Sequence, residues 1–145
     1  MKRHGTFEGH LAEVELFRGQ TAGTMREIER LFTPVTLAPG TVVTREGRAP
    51  SQFVVVVEGS LVVSAGDRVI TTRGPGDHLG EISLLSRRLQ TATTLTTTPV
   101  HAYVASKSDF AELLLTAPDV EQALWGSTAH RLAELRTAEE AANAA

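Results

Sequence analysis

Apolar residues recur at helical spacing at the two ends of the chain and at strand spacing in the middle. From His10, the residues Leu11, Val14 and Leu16-Phe17 read as a helix that Gly19 stops. Met25, Ile28 and Leu31-Phe32 predict a second helix from Thr21 to about Phe32, ended by Pro34. From Val35 to Ala105 the chain turns to Val- and Thr-rich runs separated by Gly-containing turns. These runs include "VTL", "TVVTR", "QFVVVVEGSLVVSA", "RVITT", "TATTLTTT" and "VHAYVAS". Short β-branched runs at this spacing predict a sandwich or barrel of antiparallel strands. "FVVVV" is apolar without alternation, as a strand buried on both faces would be. Helical periodicity then returns. Ser106 can cap a short helix containing Phe110 and Leu113–Leu115, with Asp109 at the third helical position. Pro118 opens another helix, expected over 119 to about 137, with Val120, Leu124, Trp125, Leu132 and Leu135 as its apolar positions.

The expected fold is therefore mainly β with flanking α. It is an antiparallel β-roll of the jelly-roll type, with N-terminal helices, one short internal helix and C-terminal helices. Residues 1–10 carry no periodicity and are expected to be a loosely ordered N-terminal segment, and 11–145 a single domain.

Composition narrows the function classes. The chain has 145 residues, 41% hydrophobic and 21% charged, as an ordinary globular domain does. It has no cysteine, which excludes disulfides, a Cys-ligated zinc site and a thiol nucleophile, and fits a cytoplasmic setting. The net charge is -3, and the only adjacent basic pairs are Lys2-Arg3 and Arg87-Arg88, so direct nucleic-acid binding is not expected. No apolar run approaches 18 residues and the N-terminus carries no apolar signal-like region, so neither a membrane span nor a signal peptide is expected. The five histidines are dispersed, without H-x-H or H-E-x-x-H spacing, and no G-x-S-x-G elbow is present. The reading is a non-catalytic protein that requires no metal or cofactor.

Chemistry concentrates where "GPGDHLGEISLLSRRLQTATT", residues 74–94, interrupts the strands. Its glycines read G-x-G-x-x-x-G, one residue away from the dinucleotide fingerprint and outside a βαβ unit. A one- or two-turn helix can start at Gly80-Glu81. Its first N–H groups favour an anion, and Gly80 admits close approach to the backbone. Glu81 can accept hydrogen bonds from ligand hydroxyls such as a sugar diol, and Thr91, beside the small Ala92, can donate to a phosphate oxygen. The alternative is purely structural: Gly80 makes a tight turn and Glu81 complements the helix dipole.

Several stretches together carry a resemblance: "LFRGQT", "APGTVVTREG", "FVVVVEGSLVV", "GPGDHLGEISLL", "TAT" and "SDFAELLLTAPDV". In this order they resemble the cyclic nucleotide-binding domain family over roughly residues 11–136. "GDHLGEISLL" is similar to that family's phosphate-binding cassette, G-D-x-F-G-E-x-A-L-L, with Leu79 for Phe and Ser83 for Ala. The resemblance implies a regulatory sensor with cAMP, more than cGMP, as ligand. It gives Glu81 the ribose 2′-hydroxyl, gives the amides near Ile82 and Ser83, together with Thr91, the cyclic phosphate, and places Gly80 and Ala92 among the ligand-binding residues. The family's phosphate arginine falls at Gln90. Arg87 and Arg88 are the nearby candidates to supply that charge. Trp125, Thr128, His130 and Arg131 on the last helix are candidates to cover the base. The same helix allows a homodimer or a contact with an effector partner. The family's helix-turn-helix module is absent from these residues, so DNA contact is not implied. Gln90 also keeps open a degenerate module of this fold that binds nucleotide poorly and acts through protein interaction or dimerisation.

Overall fold

In the computed structural model, which describes residues 2–3 and 10–143, the chain begins with a short strand, β1 (Lys2–Arg3). The rest of the expected loosely ordered segment, Met1 and residues 4–9, lies outside the described residues. The helix expected from His10 is broken: α1 (His10–Glu13) gives way to extended Val14 and a single 3-10 turn at Glu15–Phe17. Leu11, Val14 and Phe17 are all buried, and their three-residue spacing suits the tighter winding better than a continuous α-helix. Next comes α2 (Ala22–Arg30), capped by the Thr21 hydroxyl, which accepts from the Thr24 N–H at 3.1 Å. It is shorter than the periodicity predicted. Leu31 caps it, and Pro34 lies inside the following strand, β2 (Thr33–Leu37).

The roll continues through β3 (Val42–Thr44), β4 (Gln52–Glu58), β5 (Leu61–Ala65), β6 (Arg68–Arg73) and β7 (His78–Leu79). One short helix, α3 (Glu81–Ser86), interrupts it before β8 (Thr93–Thr96) and β9 (Val100–Ser106). Two antiparallel sheets result, ordered β1-β2-β9-β4-β7 and β3-β8-β5-β6. The chain closes with α4 (Lys107–Thr116) and α5 (Pro118–Asn143). The Ser106 hydroxyl caps α4 by accepting from the Asp109 N–H at 3.1 Å. α5 runs past the expected residue 137, because its Ala-rich continuation has high helix propensity and Gly126 is tolerated within it.

Strand β4 organises the core because it is buried on both faces. Phe53 and Val55 join Tyr103 and Ala105 of β9 in a layer beneath the helices, with Ile28, Phe110, Leu113 and Leu124. Val54 and Val56 point the other way, into the roll, with Leu61, Leu79, Ala102 and Val104. β7 is tied to β4 by the pairs Val54 with Leu79 and Val55 with His78. The strand at the centre of both cores therefore holds the residues that lead into α3.

Candidate functional site

Gly80 makes the turn from β7 into α3. Its φ of +95° lies in the left-handed region, and a Cβ there would stand 2.4 Å from the Gln52 carbonyl oxygen. Only glycine fits both the conformation and the space. The turn delivers Glu81 to the first position of α3 with its side chain fully buried. A buried carboxylate needs partners. Arg131 of α5 supplies the main one: its Nη1 lies 2.5 Å from Oε1 of Glu81 and also donates to the His78 carbonyl. Nδ1 of His78 stands 3.2 Å from the other carboxylate oxygen, close enough for an ion pair but outside hydrogen-bond geometry. Burial pushes the Glu81 carboxyl up, yet contact with His78 and the charge of Arg131 pull harder, so it lies below the usual carboxylate value. Burial likewise draws the Arg131 guanidinium below its usual value, against the opposing pull of Glu81.

α3 ends at Arg87, whose φ of +56° reverses the chain. The segment then returns to the roll through Gln90, whose N–H donates to the Arg48 carbonyl at 2.8 Å while its carbonyl accepts from Gly47 at 2.9 Å. The turn "EGR" thus holds Gln90 by its backbone and leaves the side chain to the interior. There the Gln90 Oε1 accepts from the Ser83 hydroxyl at 3.3 Å, across the short loop from α3.

A cavity of about 50 Å³ lies between these elements and α5. From the segment between Gly80 and Ala92 it is lined by Gly80, Glu81, Ile82, Gln90, Thr91 and Ala92, all singled out from the sequence. Ser83 stands just behind the wall, buried and bonded to Gln90. Of the candidates on the last helix, only Arg131 lines the cavity. Thr128 is buried, with a hydroxyl that has no hydrogen-bond partner among the described residues. Trp125 is 46% exposed and lies in a different groove with Leu84, Phe110 and Arg87. The exposed side chain of His130 pairs with Glu134 at 3.1 Å. Arg87 and Arg88 are exposed and do not line the cavity; Arg88 borders an outer concavity that shares Thr91 with it.

Eight lining residues were not singled out as site residues from the sequence: Thr44, Val63, Ile70, Leu79 and Thr94 of the roll, Arg73 at the end of β6, and Glu134 and Leu135 on α5. Arg73 and Glu134 pair at 3.3 Å. The charges around the cavity are thus two guanidinium groups and two carboxylates, matched in pairs. A legible signal existed on α5. Leu124, Thr128, Arg131 and Leu135 follow one face at helical spacing, so Arg131 stands in an otherwise inward stripe.

Among the described residues no group of three or more His, Asp or Glu is placed to hold a metal, and no helix is long and apolar enough to cross a membrane.

Comparison with known proteins agrees with this geometry. The family model described as "Cyclic nucleotide-binding domain" matches residues 34–117. A cyclic nucleotide-gated potassium channel from Rhizobium etli is 28% identical over 114 residues, which cover 79% of this chain and 32% of the channel. A cAMP-dependent protein kinase regulatory subunit from Yarrowia lipolytica is 29% identical over 115 residues, covering 78% of this chain and 31% of the subunit. The chain thus spans about a third of the length of the curated relatives it matches. Among solved structures, the second cyclic nucleotide-binding domain of a protein kinase A regulatory subunit, bound to Sp-2Cl-cAMPS, superposes with a TM-score of 0.76 at 22% identity, covering 89% of this chain and 88% of that one. This likeness establishes the β-roll fold.

Proposed function

The chain belongs to the cyclic nucleotide-binding domain family, and on that premise we propose that it is a non-catalytic, cytoplasmic sensor domain that binds a cyclic nucleotide between the roll and α5. The observation that carries this reading is the buried Glu81 carboxylate behind Gly80, lining one cavity with Thr91 and Ala92. An ionised carboxylate there accepts the hydrogen of the one free ribose hydroxyl of a cyclic nucleotide, the 2′-hydroxyl, and repels a second anion, which sets the direction of the ligand. The ligand's phosphate then falls toward the Thr91 hydroxyl and the first amides of α3, which lack intrahelical acceptors. Ile70, Val63 and Leu135 line the same cavity and offer apolar surface to a base. The kinase regulatory subunits among its relatives make cAMP the first ligand to test, ahead of cGMP.

The cavity of about 50 Å³ is much smaller than the roughly 300 Å³ at which ligand pockets of this kind begin. Arg131, Glu134 and Leu135 of α5 form one wall of it, so on this reading a nucleotide enters as α5 moves outward. Binding and α5 displacement are then one event, and that displacement is the signal passed to an effector partner or a second copy. Calorimetric titration of the folded chain with cAMP and cGMP tests the reading. Saturable heat with cAMP, weaker with cGMP, is expected; no heat from either at millimolar concentration overturns it.

A further inference from the structure

We propose that Arg131 supplies the positive charge for the ligand's phosphate, leaving Glu81 as a ribose hydroxyl takes its place. The inference rests on the cyclic nucleotide reading and names the residue that gives that site its selectivity for an anion.

The segment between Gly80 and Ala92 brings no cation to the cavity. Gln90 carries a neutral amide already engaged by Ser83. Arg87 lies in the groove with Trp125, and Arg88 faces the outer concavity. The two cations that line the cavity are Arg73 and Arg131. Arg73 is paired with Glu134, and neither partner is needed by a ribose. Arg131 is different, because its partner is Glu81, the carboxylate to which the ribose 2′-hydroxyl would bind. Any ligand that takes Glu81 therefore strips a buried guanidinium of its anion.

A neutral nucleoside leaves that guanidinium unpaired, which opposes binding. A cyclic phosphate returns an anion to it, and guanidinium and phosphate match in a bidentate fork. Arg131, Gln90 and Thr91 border the same cavity, so the guanidinium can pass from Glu81 to the phosphate within it. The charge now comes from α5 rather than from the loop before β8. Ligand phosphate thus holds α5 directly, with no intermediate element.

The test compares cAMP with adenosine, which lacks the phosphate, by calorimetry on the wild type and on Arg131→Gln, Arg131→Lys, Arg88→Gln and the double variant Arg131→Gln/Gln90→Arg. Arg131→Gln is expected to weaken cAMP at least about a hundredfold while adenosine holds or tightens. Arg131→Lys keeps a charge without the fork and is expected to weaken cAMP about tenfold; it carries the test should Arg131→Gln not fold. The double variant restores most of the cAMP affinity by placing a guanidinium at residue 90. An unchanged ratio of cAMP to adenosine affinity in Arg131→Gln and Arg131→Lys overturns the proposal. So does tightening of both ligands, which would make Arg131 a simple obstruction, and so does the hundredfold loss appearing in Arg88→Gln instead. A folded wild type that binds neither ligand overturns the sensor function itself, and this inference with it; a wild type that binds cAMP isolates the role of Arg131.

Discussion

At Glu81 the segment between β7 and β8 buries an ionised group with two charged or chargeable neighbours, Arg131 and His78. At Gln90–Ala92 the same segment offers a neutral amide, a hydroxyl and a methyl, all half-buried, with Gln90 held by backbone bonds to the turn at Gly47 and Arg48 and the Ala92 carbonyl accepting from the Thr44 hydroxyl. The first end is tightly determined. Its glycine has no room for a side chain, and its carboxylate is bound to a helix fifty residues away in sequence. The second end places few demands on its side chains, because its path is fixed by main-chain groups. The buried carboxylate of Glu81 thus sits where substitution disturbs the fold, and the Gln90 side chain sits where substitution is cheap.

Substitutions that separate the two ends can break this comparison. Glu81→Ala leaves Arg131 buried without its anion and is expected to destabilise the fold by about 3–5 kcal/mol in urea unfolding. A loss under about 1 kcal/mol would mean that the pair is not closed in solution. Gly80→Ala should lose about 2–3 kcal/mol by the same measurement, from the left-handed backbone and the collision with the Gln52 carbonyl. Acid titration sharpens the contrast. The Glu81 carboxyl lies below its unfolded value of 4.5, so its stabilisation is complete above that pH and drains as pH falls through the lowered folded value. The stability gap between wild type and Glu81→Gln should therefore narrow below about pH 4.5, and a constant gap would reject the assignment.

At the other end, effects should be small. Gln90→Arg is expected to change cAMP affinity less than about tenfold while Arg131 is present, because the charge is already supplied. A larger gain would show that residue 90 is the site's missing cation. Smallest of all, Arg87→Asn suits the left-handed backbone and touches no cavity wall, so stability should stay within about 0.5 kcal/mol and ligand affinity should not move.

Much of this architecture was legible in local pattern. The unalternating "FVVVV" run is the strand between the two cores, and Ser106 caps the helix it was expected to cap. Gly80-Glu81 and Thr91-Ala92, expected from the sequence to contact a ligand, are brought to one cavity. Other features depend on distant partners. The three-residue spacing of Leu11, Val14 and Phe17 hid a 3-10 turn inside an apparent helix. Trp125 looked like a base-stacking or core residue, and its rotation on α5 carries it outward. Arg131 read as a base cover; its ion pair with Glu81 exists only because α5 packs across α3, fifty residues downstream. The lengths of α2 and α5 missed for a simpler reason. Leu31-Phe32 continue the apolar stripe after the backbone has left the helix, and the alanines past 137 continue the helix after the stripe has faded.

The length of α5 has a mechanical consequence. At about 1.5 Å per residue, its 26 residues make a rod of about 39 Å. It is joined to α4 through the single residue Ala117 and is gripped by Arg131 at its midpoint. A tilt of about 10° at Ala117 would move the rod by about 4 Å at Arg131 and by about 7 Å at Asn143. An adjustment of that size at one buried guanidinium would thereby be nearly doubled at the far end, making α5 a lever whose short arm is read by a single charge.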